Sequence, residues 1–290
     1  MNSQIAKTLI NKKAALDNTA AQVQLNPWQH LRHYTDARIA LGRAGNSLPT
    51  QAHLAFQLDH AKARDAVHLP LDYELLGKQL RQFGLPVITL ASCVDNRATY
   101  LQRPDLGRTL CTKSIEQLQG FSQLQRHIYD LVIVISEGLS SLAITENIEK
   151  MLTELLPSLN QMELSIAPIC IVQQGRVAVA DDVGVHIQAR MTVILIGERP
   201  GLSSPDSLGI YFTYHPETGC ADSKRNCLSN IRPRGMSYQQ AVERLTYLIK
   251  EADQRGYSGV TLKDETEVSD RSAVGKNFLL PLLRKEYSAE

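Results

Sequence analysis

The 290 residues carry 31 Lys and Arg against 30 Asp and Glu, a formal net charge of +1, with 43% hydrophobic and 21% charged positions. This balance supports a soluble globular protein with room for a sizeable core, and it argues against nucleic-acid binding by phosphate neutralisation. No apolar stretch approaches the roughly 20 residues of a membrane-spanning helix. No apolar secretory core opens the chain, and the five scattered cysteines (Cys93, Cys111, Cys170, Cys220, Cys227) point to reduced thiols in a cytoplasm.

In chain order, residues 1–26 read as a flexible or weakly helical segment. Ile5, Leu9 and Ile10 make a faint helical stripe there before Gln and Asn dominate up to Pro27. Residues 27–86 are expected to be helical. Trp28, Leu31 and Tyr34 share a face, and Gly42 and Gly45 end that helix. Ser47 and Pro49 suit the start of a second, whose Leu54, Leu58 and Ala61 align at helical spacing.

Residues 87–264 alternate between two periods. Short branched runs at 87–92, 131–136, 166–172, 191–196 and 210–214 read as strands, and 260–262 closes the set. Between them lie a helix with Ile144, Ile148, Leu152 and Leu155 on one face, a short helical segment near 181–189, and a helix over 236–252 showing Val242, Leu245, Leu248 and Ile249. Asp95-Asn96 marks a turn. The alternation predicts an α/β fold: a Rossmann-like, mainly parallel sheet with helices on both faces, preceded by the N-terminal helical region. Residues 265–290 form a tail, charged until Phe278-Leu279-Leu280.

Several familiar sites are missing from the sequence. There is no G-x-G-x-x-G after a strand, no G-x-x-x-x-G-K-[ST], no H-E-x-x-H and no closely spaced cysteine pair for zinc. Metal binding is not expected. Cys227, in Lys224-Arg225-Asn226-Cys227, has two cations nearby that would lower a thiol pKa, with His215 or His186 as base. A small side chain packed beneath a loop is the favoured reading of that cysteine, and His186, among apolar positions, reads as structural.

Three loops look coordinated instead: Ser136-Glu137-Gly138-Leu139-Ser140, Gln173-Gln174-Gly175-Arg176-Val177, and the segment from Gly197 to Ser207 with its Glu198-Arg199-Pro200-Gly201 core. In a parallel sheet all three lie at one edge, where open α/β sheets bind ligands. They would present glycines, hydroxyls, Glu137, Arg176, Glu198 and Arg199 together. Such a rim suits a large ligand bearing amides, hydroxyls and a phosphate. No tuned acid–base pair accompanies it.

The chain resembles the small (light) subunit of ethanolamine ammonia-lyase from about Arg38 to Asp264. The resemblance rests on Gly42-Arg43-Ala44-Gly45, Arg103-Pro104-Asp105-Leu106-Gly107-Arg108, Ser136-Glu137-Gly138-Leu139-Ser140, Gly175-Arg176-Val177, Gly197-Glu198-Arg199-Pro200-Gly201-Leu202 and Cys227-Leu228-Ser229-Asn230-Ile231. Glu137 departs from the Asp more usual in that family. The resemblance implies an adenosylcobalamin-dependent lyase that converts ethanolamine to acetaldehyde and ammonia by a radical mechanism. A large β/α-barrel partner subunit would bind ethanolamine, and this chain would close over cobalamin at the subunit boundary. Family cobalamin contacts carry over to Val177, Glu198 and Cys227, with Arg176, Arg199 and Glu137 beside them. The resemblance also suggests a base-on cofactor, in keeping with the lack of a D-x-H-x-x-G motif, and a cytoplasmic hetero-oligomer, housed in a bacterial microcompartment where one is made. Two alternatives stay open: a stand-alone nucleotide-binding module with Arg176 and Arg199 on a phosphate at helix N-termini, and a microcompartment scaffold protein addressed by its N-terminal segment.

Overall fold

The computed structural model describes residues 23–266. The expectations for Ile5, Leu9 and Ile10 and for Phe278-Leu279-Leu280 lie outside those residues. Two apolar runs set the architecture. Tyr129–Ser136 (β2) and Ala189–Gly197 (β4) are buried almost without a break, the pattern of strands covered on both faces, and they pair in parallel with Val134 opposite Ile194. Ile169–Gln173 (β3) joins the other side of β2, and Val87–Ala91 (β1) pairs with β3, both in parallel. Leu208–Tyr214 (β5) and Arg225–Ile231 (β6) then continue the sheet antiparallel beyond β4, giving the order β1-β3-β2-β4-β5-β6.

Side chains alternate across this sheet into two cores. Leu131, Ile133, Val193, Leu195, Ile210 and Phe212 face Tyr73–Leu80 (α2), Ser141–Gln161 (α5) and Tyr238–Arg255 (α7). Val132, Val134, Cys170, Val172, Ile194 and Ile196 face Thr112–Gln125 (α4) and Val179–Ile187 (α6). Helices therefore cover both faces. Thr50–His68 (α1) and the short Arg97–Gln102 (α3) complete the set, and among the described residues no helix is long and apolar enough to cross a membrane. Local signals fix several helix starts: Asp72, Asn96 and Ser140 each accept a first-turn amide, and Ser237 with Gln240 forms a capping box.

Four expectations need correction. Residues 27–33 form a 3-10 helix, not the opening of an α-helix running to Gly42. Asn26 and Pro27 start the turn, but Trp28 stays 54% exposed and no buried residue sustains it. In α1 the aligned Leu54 and Leu58 point outward at 58% and 56% exposure, and the small Ala63 and Ala66 make the buried face. Residues 260–262 are a turn, with the side chain of Asn226 bonding to Gly259 and Leu262 so that Leu262 plugs the core. A strand, β6, runs through Arg225–Ile231, which reads as a polar loop because only Leu228 and Ile231 are apolar. It is an edge strand, where polar residues are tolerated.

Candidate functional site

Because β1, β3, β2 and β4 run in parallel, the loops after β2, β3 and β4 do leave one edge. Much of that edge is filled by the chain itself. Gly138 has φ +54°, and a Cβ there would sit 2.3 Å from the Gly197 carbonyl, so the loops after β2 and β4 cross in backbone contact. Between β2 and β3, Glu137 is only 2% exposed. Its Oε1 accepts from Tyr73 Oη at 2.7 Å and from the Gln174 amide at 2.8 Å. Burial pushes the Glu137 carboxyl above its ordinary value, opposed by Tyr73, the backbone amides and Arg97. The loop after β4 is tied down as well: Ser140 Oγ donates to the Pro205 carbonyl, Asn147 to that of Asp206 and Arg232 to that of Ser203.

The opening lies one step away, where the N-terminal end of α6 faces β5 and β6. A cleft of about 370 Å³ is lined there by Pro104, Arg108, Arg176, Val177, Tyr211, Asp222, Arg225 and Cys227. Tyr211 and Cys227 are direct cross-strand partners, so both side chains project from the same face of the sheet. Arg176 and Val177 precede α6. Arg225 is buried and donates to Asp181, to Asp222 at 2.6 Å and to the Cys220 carbonyl at 3.0 Å. Burial pushes Asp181 upward, and the Arg225 guanidinium acts against that rise. Glu198, at the end of β4, bridges three segments beside the cleft. Its carboxylate accepts from Ser207 Oγ and Ser229 Oγ, both at 2.5 Å, and from the Asn230 amide at 3.1 Å. Three donors on a carboxylate leave room for about one more, given its roughly four lone-pair sites.

Residues 25–263 match the family model for the ethanolamine ammonia-lyase light chain. The ethanolamine ammonia-lyase small subunit of Azotobacter vinelandii is 55% identical over 258 residues, 88% of this chain and 96% of that protein. The corresponding subunit of Ralstonia nicotianae is 51% identical over 264 residues, covering 91% and 98%. The chain belongs to the ethanolamine ammonia-lyase light-chain family. It is therefore part of an ammonia-lyase, a carbon–nitrogen lyase.

In this light chain the six expected site residues divide by location. Arg176, Val177 and Cys227 line one cleft, and Glu198 stands next to it, close enough for its charge to act on Tyr211 and Cys227. Glu137 lies apart, in the interior between β2 and β3. Arg199 is exposed and makes no hydrogen bond or ion pair among the described residues. The reading of Cys227 as a side chain packed beneath a loop is corrected, because it is exposed on the edge strand β6, and the nucleophile reading loses its basis too. Desolvation pushes the thiol up, Tyr211 opposes this, and the Glu198 carboxylate adds to the rise. The nearby cation is committed as well, since Arg225 is bound to Asp181.

Sequence reading missed Tyr211, Arg225, Arg108 and Asp222 as cleft residues. Arg108 closes the Arg103-Pro104-Asp105-Leu106-Gly107-Arg108 motif, which was a usable signal. Tyr211 falls within a predicted strand, and only the unpredicted β6 reveals what it faces.

Proposed function

We propose that this chain is the small subunit of an adenosylcobalamin-dependent ethanolamine ammonia-lyase and holds part of the cofactor at its boundary with the large subunit. The overall reaction is ethanolamine to acetaldehyde and ammonia. The observation that carries this reading is the convergence of Arg176, Val177 and Cys227 on one cleft with Glu198 at its side. The relatives are each named a small subunit, which supports a hetero-oligomer with a large subunit.

The residues present fit a corrinoid's periphery. At about 370 Å³ the cleft admits an edge or a side arm of so large a molecule, which leaves the remainder to the partner. Among the cleft residues, two buried guanidinium nitrogens, Nε of Arg176 and Nε of Arg225, carry no hydrogen-bond partner within the described residues. The guanidinium of Arg176 on the cleft wall suits the acceptor oxygens of carboxamides, ribose or phosphate. When bound, the cofactor supplies the radical chemistry, and the protein supplies placement. Within this chain, Val177 shapes the wall and Cys227 remains a protonated thiol of modest size. Glu198 keeps β6 and the loop after β4 in register while offering its remaining acceptor site to a corrin amide or ribose hydroxyl.

The test is reconstitution with the large subunit, followed by cobalamin binding and ammonia release from ethanolamine. Glu198→Ala in that complex is expected to weaken cobalamin binding about five- to thirtyfold, the loss of one hydrogen bond to the cofactor. An unchanged dissociation constant removes Glu198 from the site. The cofactor is expected to stay base-on. The EPR spectrum of its cobalt(II) form, taken with isotopically labelled protein histidine, should then show nitrogen splitting indifferent to the label. Splitting that follows the label overturns it.

A further inference from the structure

Of the three guanidinium groups on the cleft wall, two already have carboxylate partners. Arg108 lies 3.3 Å from Asp222, and Arg225 is shared between Asp222 and Asp181. Arg176 has no carboxylate partner among the described residues. Its Nη2 donates to the Tyr100 carbonyl at 2.8 Å, and its guanidinium carbon sits 4.0 Å from the centroid of the Tyr100 ring.

The platform under Arg176 is rigid. Tyr100 is fully buried and donates its hydroxyl to the Gly175 carbonyl, while Arg97 stacks on the same ring at 4.6 Å. The Arg176 amide donates to the Gly107 carbonyl at 2.7 Å, and Gly107 has no room for a Cβ because the Arg176 side chain would lie 2.8 Å away. The backbone and aliphatic stem of Arg176 are thus fixed from both sides. A planar, always-charged group on a stacked platform, with no counter-ion among the described residues, is preorganised for an anionic oxygen ligand.

We infer that Arg176, the cleft guanidinium without a carboxylate partner among the described residues, receives the phosphodiester of the cobalamin nucleotide loop. The inference rests on the proposal that this cleft holds part of cobalamin. The phosphodiester is the one anionic group such a molecule offers, because the side arms around the corrin end in neutral carboxamides.

The test compares two corrinoids on the complex of this chain with its large subunit, reading equilibrium binding by absorbance rather than turnover. Cobalamin carries the nucleotide loop, and cobinamide lacks both the loop and its phosphodiester. Arg176→Gln is expected to weaken cobalamin binding about ten- to a hundredfold, while cobinamide affinity stays within about twofold. Arg176→Lys, which keeps the charge without the fork, is expected to recover part of the cobalamin loss. Equal weakening of both corrinoids overturns the inference, because Arg176 would then act through the corrin or the fold. Unchanged cobalamin binding overturns it also. A wild-type complex that binds neither corrinoid defeats the underlying functional reading instead, so the two failures are distinguishable.

Discussion

Replacing Asp181 with alanine is expected to lower folding stability by about 3–5 kcal/mol, the usual consequence of leaving a buried charge without its partner. Asp181 and Arg225 have side chains only 1% and 2% exposed. Without Asp181 the guanidinium keeps Asp222, whose own side chain is 74% exposed, and the Cys220 carbonyl. Neither substitutes for a fully desolvated carboxylate. A guanidinium does not shed its charge inside a protein, so the uncompensated charge persists. Chemical unfolding of the single variant and of Asp181→Ala combined with Arg225→Met checks the cause. The double variant should recover a substantial part of the loss, because no uncompensated charge remains. A double variant as unstable as the single, or more so, means that packing and not charge burial is responsible. The same pair ties α6 to β6, so the single variant should loosen the cleft as well, lowering corrinoid affinity in the reconstituted complex.

That ion pair also illustrates which parts of the molecule were legible in the sequence. The central strands β2 and β4 announce themselves as unbroken apolar runs, and α5 and α7 as stripes at helical spacing, so the layered α/β arrangement follows from local pattern. The glycines, Arg176 and Val177 in the loops after β2, β3 and β4 follow from that arrangement, because parallel strands deliver their carboxyl ends to one edge. What did not follow depends on pairing across long sequence separations. Asp181 and Asp182 read as ordinary acidic residues in a first helical turn, yet both are buried because β6 and the segments around Leu110 and Thr218 supply their partners. Arg225 reads as a surface cation next to Cys227, and only the presence of β6 turns it inward. Tyr100 lies in a short polar helix with no apolar stripe, and its burial comes from Arg97 and Arg176 stacking on its ring. Position was predictable where the hydrophobic pattern is local, and unpredictable where a polar group is satisfied by a distant one.

Gly197 carries the second large effect, and its physical cause differs. A Cβ at this position would lie 2.1 Å from the Ser140 carbonyl oxygen, 2.4 Å from that of Glu137 and 2.8 Å from the Ser140 carbonyl carbon. These are backbone atoms of the loop that leads from β2 to the N-cap of α5, so no rotamer change relieves the contact. Leu139 N–H also donates to the Gly197 carbonyl, which fixes how closely the two loops approach. Gly197→Ala is therefore expected to destabilise by about 3 kcal/mol or more, at the upper end of overpacking costs. Gly120, within α4, makes a matched control: a Cβ there meets nothing within 4 Å, so Gly120→Ala should stabilise by about 0.5–1 kcal/mol through helix propensity. Urea midpoints of the two variants should therefore move in opposite directions from wild type. A Gly197→Ala midpoint at or above wild type would mean that the loops after β2 and β4 can separate without cost. The crossing would then no longer explain how Glu198, the next residue, is held against Ser207 and Ser229 at the side of the cleft.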